Sequence, residues 1–348
     1  MYLIEPKRDG KWIYDPGVSM AIQEYVKDHV FLDDDVLFPY MMQPAVQIGK
    51  YQNAYEEVNQ PYMDEHDIRL IRRATGGGAI YMDDQNMSFC FLFNDTESLD
   101  RNYAALYEPA IQALKNLGID ETLLGQKGRN DLELDGKKIS GAAMAIQNGR
   151  IYAGYSLLLD PNYEAMVEVL TPNQKKIQSH GIQSVRRRVG SIRPYLAEQY
   201  RDMTVWDFTD YMICQLLGID DVSEAKRYEF TAEDWDGIDK IAAEKYNNWD
   251  WNYGHFKQFE YRLTERFPIG TMTLGLTIEH AKIAQLQITG DFFGSKDVHD
   301  LEQLLIGTRL RKDDLLKQLE NVDLTAYFGQ LTKENFVAFL LSEQQVEV

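Results

Sequence analysis

The chain has 348 residues, 44% of them hydrophobic, enough for two domains with full cores, and a formal net charge of −19 that excludes nonspecific nucleic-acid or anionic-membrane binding by the whole surface. Its two cysteines, Cys90 and Cys214, lie too far apart for a disulfide framework or a zinc spacing. The opening MYLIEPKRDGKW lacks a signal-peptide core and no run approaches the roughly 20 apolar residues of a membrane span, so a soluble, cytoplasmic globular protein is expected.

Residues 16–30 carry Met20, Ile22 and Val26 at helical spacing, which predicts a helix with Ser19 as a cap. Short strands are expected around 36–40 and 44–48, and a third over Ile68–Arg73. NMSFCFLF reads as a buried strand, and Tyr103–Leu117 as an amphipathic helix stopped by Gly118. Between 131 and 157 lie Asp135-Gly136 and Asn148-Gly149, the favoured type I′ pairs, so a three-stranded antiparallel meander is expected. Helices follow at 162–170 and 204–217. EKYNNWDWNYGHF, rich in aromatics and asparagine, marks a join between domains. Beyond it come a hairpin over 270–294 and helices near 297–306, 312–319 and 332–341, a small α+β unit. Neither an internal repeat nor a low-complexity tract is present.

Three features carry chemistry. The first is IRRATGGGAIYMDD, Ile71 to Asp84. Gly76 and Gly78 begin a G-x-G pattern, but Tyr81 stands where the third glycine belongs and no G-K-[ST] follows, so this is neither a plain dinucleotide fold nor a P-loop. A tight turn explains two glycines; the third points to a loop whose backbone N–H groups meet a phosphate or carboxylate closely. Arg72 and Arg73 offer guanidinium forks for such an anion, and strand alternation sends only one of them into a site.

The second is GRNDLELDGKKISG, residues 128–141. With a two-residue turn, Leu134 pairs with Lys137, Glu133 with Lys138 and Leu132 with Ile139. Leu132, Leu134, Lys137 and Ile139 then share a core face, with Lys137 snorkelling near the turn. Asp131, Glu133, Lys138 and Ser140 share a polar face, either a pocket wall or a surface ladder of Glu133 with Lys138. The third is Lys175 to Arg193, which contains six basic residues and no acid. It is either a solvated face or a docking surface or lid for an anion; nucleic acid fits it poorly because aromatic interleaving is missing. The histidines show no H-x-x-x-H spacing, no Gly-x-Ser-x-Gly elbow occurs, and both cysteines read as core.

RRATGGGAI, GRNDLELDGKKISGAA and KKIQSHGIQSVRRRV, in this order and spacing, resemble the lipoate–protein ligases of the two-domain type; DPGVSMAIQEYV, VQIGKYQN and WDWNYGHF…ERFPIG are similar to other segments of that family. The resemblance implies an α+β fold: a catalytic domain like those of biotin ligases and class II aminoacyl-tRNA synthetases, with mixed sheets flanked by helices, plus a small C-terminal accessory domain. It places these at 1–246 and 261–348, with 247–260 as linker or hinge. It implies that lipoate or octanoate and ATP, with Mg2+, form an acyl-adenylate and pyrophosphate. The acyl group then passes to a lysine of an acceptor lipoyl domain, in E2 subunits of 2-oxoacid dehydrogenases or the glycine-cleavage H protein.

By the same resemblance, Lys138 is catalytic and meets both the acyl carbonyl and the phosphate. Arg73 lies near the phosphate, and Gly78, Ala79, Ile80 and Tyr81 contact the adenylate. Gly76, Gly77, Asn130 and Asp131 line the pocket. The basic run corresponds to an adenylate-binding loop. Two departures bear on acyl-chain preference and acceptor choice: Met82 replaces a histidine after the glycines, and AGYSL at 153–157 replaces H-G-T-L. An ATP-independent octanoyl or lipoyl transferase of the same fold is the alternative enzyme. A non-catalytic binder of lipoylated domains is the alternative from another class.

Overall fold

The computed structural model describes residues 1–94, 102–128, 130–147, 149–170, 188–254, 259, 261–342 and 345–346. They form two compact units. The first comprises Met1–Gln47, Val58–Ile71 and Ile80–Asn248. Its main sheet has seven strands in the order Tyr2–Leu3, Val36–Tyr40, Met87–Phe93, Arg150–Leu157, Lys137–Gln147, Asp131–Leu134 and Leu124–Lys127. The pairing is parallel at the first edge and antiparallel elsewhere. The expected meander is therefore the middle of a wider sheet, whose Leu124–Lys127 edge has no alternating apolar signal. Asp135 and Gly136 both take positive φ, +52° and +71°, as a type I′ turn requires. A smaller sheet is built from Arg69–Arg72, Ala45–Ile48 and Ile80–Met82. Phe89, Tyr107, Leu132, Ile139, Tyr155 and Phe208 belong to this unit's core.

The first helix spans Pro16–His29, as expected, but its cap is Asp15, whose Oδ1 accepts from Val18 N at 2.8 Å. Ser19 is fully buried a turn further in. Pro16 opens the helix, so the cap has to precede it. Helix Tyr103–Asn116 ends just before Gly118, which adopts φ +90°. Helices at Tyr163–Val169 and Val205–Leu217 match expectation; Ala232–Ile241 was not expected. It starts from a reciprocal capping box of Thr231 and Asp234, with Trp235 and Ile238 buried, so the sequence did hold its signal.

The second unit comprises Ile48–Glu57, Arg72–Ala79 and Trp249–Val348. Its antiparallel sheet runs Lys282–Gly290, Gly270–Glu279, Tyr261–Phe267 and Gln345–Val346. The expected hairpin is present, and Tyr261–Phe267 extends it by a further antiparallel strand paired with Gly270–Glu279. Helix Val298–Leu305 packs on Lys282–Gly290, and Lys333–Leu340 on Tyr261–Phe267. Leu274, Ile288, Phe292, Leu301 and Phe336 build this second core. Tyr51 joins it, its ring stacked on Phe292 with centroids 5.0 Å apart. The fold is α+β, with a small α+β unit at the C-terminal end. No described helix is long and apolar enough to cross a membrane.

Candidate active site

The hairpin around Asp135-Gly136 sets the position of Lys138. Leu134 pairs with Lys137 and Glu133 with Lys138, as the two-residue turn predicts, but Leu132 then faces Ser140 rather than Ile139. Ile139 is an extra residue, a β-bulge. The bulge returns Ile139 to the core with Leu132 and Leu134, and it corrects the expected placement of Ser140. Ser140 is buried rather than on the polar face, its Oγ 3.0 Å from the Tyr107 hydroxyl. Lys138 keeps a half-buried side chain, its Nζ 2.8 Å from Asp131 Oδ1. Glu133 pairs instead with Lys127, at 3.2 Å, so the Glu133–Lys138 ladder does not form. A Cβ on Gly141 would stand 3.0 Å from Lys138 Nζ; the bare α-carbon leaves the ammonium its place. Asn130 adjoins this pair, its Nδ2 donating to Ala142 O at 2.6 Å.

The glycine loop answers differently at each position. Gly76 and Gly77 are buried and Gly78 is exposed. A Cβ on Gly76 would meet Phe292 O at 2.1 Å, so the chain must be bare there for one backbone to pass another. Gly77 adopts φ +98°, and its α-carbon faces the Phe293 ring and the Arg73 guanidinium. Around Gly78 an added Cβ meets nothing within 4 Å. Of the three, Gly78 alone has room for a ligand.

The two arginines part company, as alternation predicted. Arg72 is buried, with Nη1 donating to the carbonyls of Gly49, Lys50 and Gln52, Nη2 to Asn252 O and Nε to Trp251 O. Burial, reinforced by neighbouring Arg73, pushes its pKa down to about 10. It clamps backbone and leaves no fork for an anion. Arg73 is less buried, and its Nη2 donates to Gly76 O and Gly78 O, both at 2.8 Å. It therefore shapes the loop that carries Gly78. Ala79 ends this segment; Ile80 and Tyr81 continue into the first unit, paired with Gln47 and Val46.

The structure thus groups Lys138, Asp131 and Asn130 in the first unit, and Arg73 with Gly76, Gly77, Gly78 and Ala79 in the second. Most of the basic run, residues 175–187, lies outside the described residues. At its end, Gly190 N donates to Lys138 O at 2.8 Å, while Arg193 is spent on Asp160 and the carbonyls of Arg201 and Met203. Met82 is buried on its strand, and Gly154 of the AGYSL stretch is where a Cβ would meet Cys90 Sγ at 2.6 Å. Both cysteines are free; burial pushes the Cys90 thiol up to about 12. Among the described residues no cluster of three or more His, Cys, Asp or Glu could hold a metal on its own.

Residues 15–217 match the lipoyl protein ligase A/B catalytic domain, and residues 257–340 the bacterial lipoate protein ligase C-terminus. The chain belongs to the lipoate–protein ligase family. It is 51% identical over 342 residues to lipoate–protein ligase 2 of Staphylococcus aureus, covering 98% of this chain and 100% of that one. Two solved structures are similar. P. falciparum LipL1, in complex with lipoate, aligns with a TM-score of 0.77 at 18% identity, over 98% of this chain and 99% of that one. A bipartite lipoate protein ligase of Thermoplasma acidophilum, described with its E2 lipoyl domain, aligns at 0.61 with 25% identity, over 74% and 97%. The resemblance carried by the motifs and the family matches agree.

Proposed function

We propose that this ligase works in two steps, the first of which consumes ATP, with Lys138 as its catalytic cation. A carboxylate oxygen of lipoate attacks the α-phosphorus of ATP, the bond to the bridging oxygen breaks, and pyrophosphate leaves. The ε-amine of an acceptor lysine then attacks the acyl carbon of lipoyl-AMP. The bond to AMP breaks, AMP departs, and the amine loses its proton as the amide forms. AMP is a good leaving group, so no enzyme nucleophile is required.

The observation that carries this reading is the Lys138 ammonium, held by Asp131 above a glycine with no side chain. Attack on the α-phosphorus builds charge on its nonbridging oxygens, and one fixed donor there is worth about 3 kcal/mol. Arg73, Gly78, Ala79, Ile80 and Tyr81 take the adenylate in this proposal, and Gly76, Gly77, Asn130 and Asp131 line its pocket. Mg2+, usually held by one or two carboxylates and substrate phosphates, assists the first step in this proposal. When bound, the ion would neutralise phosphate charge.

The acceptors proposed are lipoyl domains of E2 subunits and the H protein, and octanoate is an alternative acyl group. A catalytic part over 1–246, a hinge over 247–260 and an accessory part over 261–348 belong to the same proposal, as does a cytoplasmic location for a protein with two free thiols. An ATP-independent transferase working through an acyl-cysteine is disfavoured, because burial raises the pKa of both thiols, that of Cys90 to about 12, and so suppresses the thiolate at neutral pH.

Lipoate-dependent ATP–pyrophosphate exchange, followed by the mass shift of a purified acceptor domain, tests the proposal. Lys138→Ala is expected to abolish exchange while the thermal midpoint stays within a few degrees of wild type. Full exchange in that variant would refute the role of Lys138. Acyl transfer without ATP would favour the transferase, and pyrophosphate release on adding lipoate and ATP would rule out a non-catalytic binder.

A further inference from the structure

We propose that Tyr107 and Ser140 form a positioning device for Lys138, an inference that rests on the role just given to that lysine. Tyr107 sits on helix Tyr103–Asn116, far from the hairpin in sequence, and is fully buried. Its hydroxyl is 3.0 Å from Asn130 O and 3.0 Å from Ser140 Oγ. These two atoms lie on opposite strands of the bulged hairpin: Asn130 immediately precedes Asp131, and Ser140 follows Lys138 by two residues. A phenol donating to Asn130 O and accepting from Ser140 Oγ joins both strands at one point, with each hydroxyl supplying one proton.

The bulge explains why such a bracket is needed. An extra residue breaks the ladder between Leu132–Glu133 and their partners, so strand pairing alone leaves the twist there soft. The side chain that twist aims is Lys138. Other bonds hold the backbone on its far side: Lys138 O accepts from Gly190 N at 2.8 Å and Ile139 O from Leu158 N at 2.9 Å. Asn130 O also accepts from Ala142 N, at 2.9 Å. Among the described residues, the phenol is the bond at the bulge that comes from a helix, so it ties Lys138 and Asp131 to the core. Tyr107 and Ser140 touch no reacting atom; they act through the lysine.

The test uses the full chain and measures pyrophosphate exchange and thermal unfolding in Tyr107→Phe, Ser140→Ala, the double variant, and Tyr107→Phe combined with Lys138→Arg. Tyr107→Phe keeps the ring, whose centroid is 5.3 Å from that of Tyr155. Its kcat is expected to fall about tenfold, the scale of a catalytic group displaced by a fraction of an ångström, with KM for ATP and lipoate within about twofold. Ser140→Ala shares the same bond, so the double variant should lose no more than Tyr107→Phe alone. In Lys138→Arg, whose guanidinium is aimed differently, the added Tyr107→Phe should cost less than it does in the wild type. Wild-type kcat in both single variants overturns the inference, and so does an equal loss with lysine or arginine at 138. Full exchange in Lys138→Ala would instead strike at the lysine's role itself, so the two failures are told apart.

Discussion

At the scale of single residues, the site depends on what is missing as much as on what is present. Gly141 has no side chain, and Lys138 Nζ occupies the space a methyl would crowd. Gly141→Ala should therefore keep the fold, since a strand interior gains about 0.5–1 kcal/mol on exchanging glycine for alanine. The displaced ammonium should lower kcat for pyrophosphate exchange by about tenfold. A variant with unchanged kcat would show that the amine tolerates a shifted position. Arg72 and Arg73 illustrate the same point, because adjacent identical residues do different work. Strand alternation foretold that split, whereas the five carbonyls gathered around Arg72 come from segments distant in sequence, which alternation cannot see.

At the scale of elements, the glycine loop divides into a structural half and an open half. Gly76→Ala would drive a Cβ against the Phe292 carbonyl, a backbone atom that cannot swing aside. It should destabilise the second unit by about 1–3 kcal/mol, the usual cost of overpacking, read as a lower denaturation midpoint. Gly78→Ala meets no neighbour, so its stability should stay within about 0.5 kcal/mol of wild type. If the Gly78 backbone meets the adenylate, that variant raises KM for ATP. Unchanged KM with unchanged stability would remove the loop from the ATP site. The hairpin tells a similar story. Its turn and its first two pairs were legible from Asp135-Gly136, because that dipeptide selects its own backbone angles. Its bulge was not, because the partner that Ser140 meets on turning inward is a phenol on a separate helix.

At the scale of the whole molecule, Glu57 gives the second unit a pH dependence. Burial, together with Asp291 and Glu56 nearby, raises its pKa from 4.5 to about 7, against a hydrogen bond with Gln52 that lowers it. The folded state thus holds a proton that the unfolded state releases at lower pH. Stability from this group is fully present below about pH 4.5 and is lost as pH rises to about 7. Glu57→Gln should flatten that decline in a midpoint-against-pH series; an unchanged slope would assign the titration elsewhere.

The sequence by itself determined the local elements, the type I′ turn and the motifs that identify the family, because these depend on neighbours within a few residues. The tertiary structure alone decided that Ile48–Glu57 and Arg72–Ala79 cluster with the C-terminal residues, that Gly76 is bare for a passing carbonyl, and that a bulge interrupts the strand pairing next to Lys138. Those outcomes rest on contacts between segments far apart along the chain, and periodicity carries no record of such contacts.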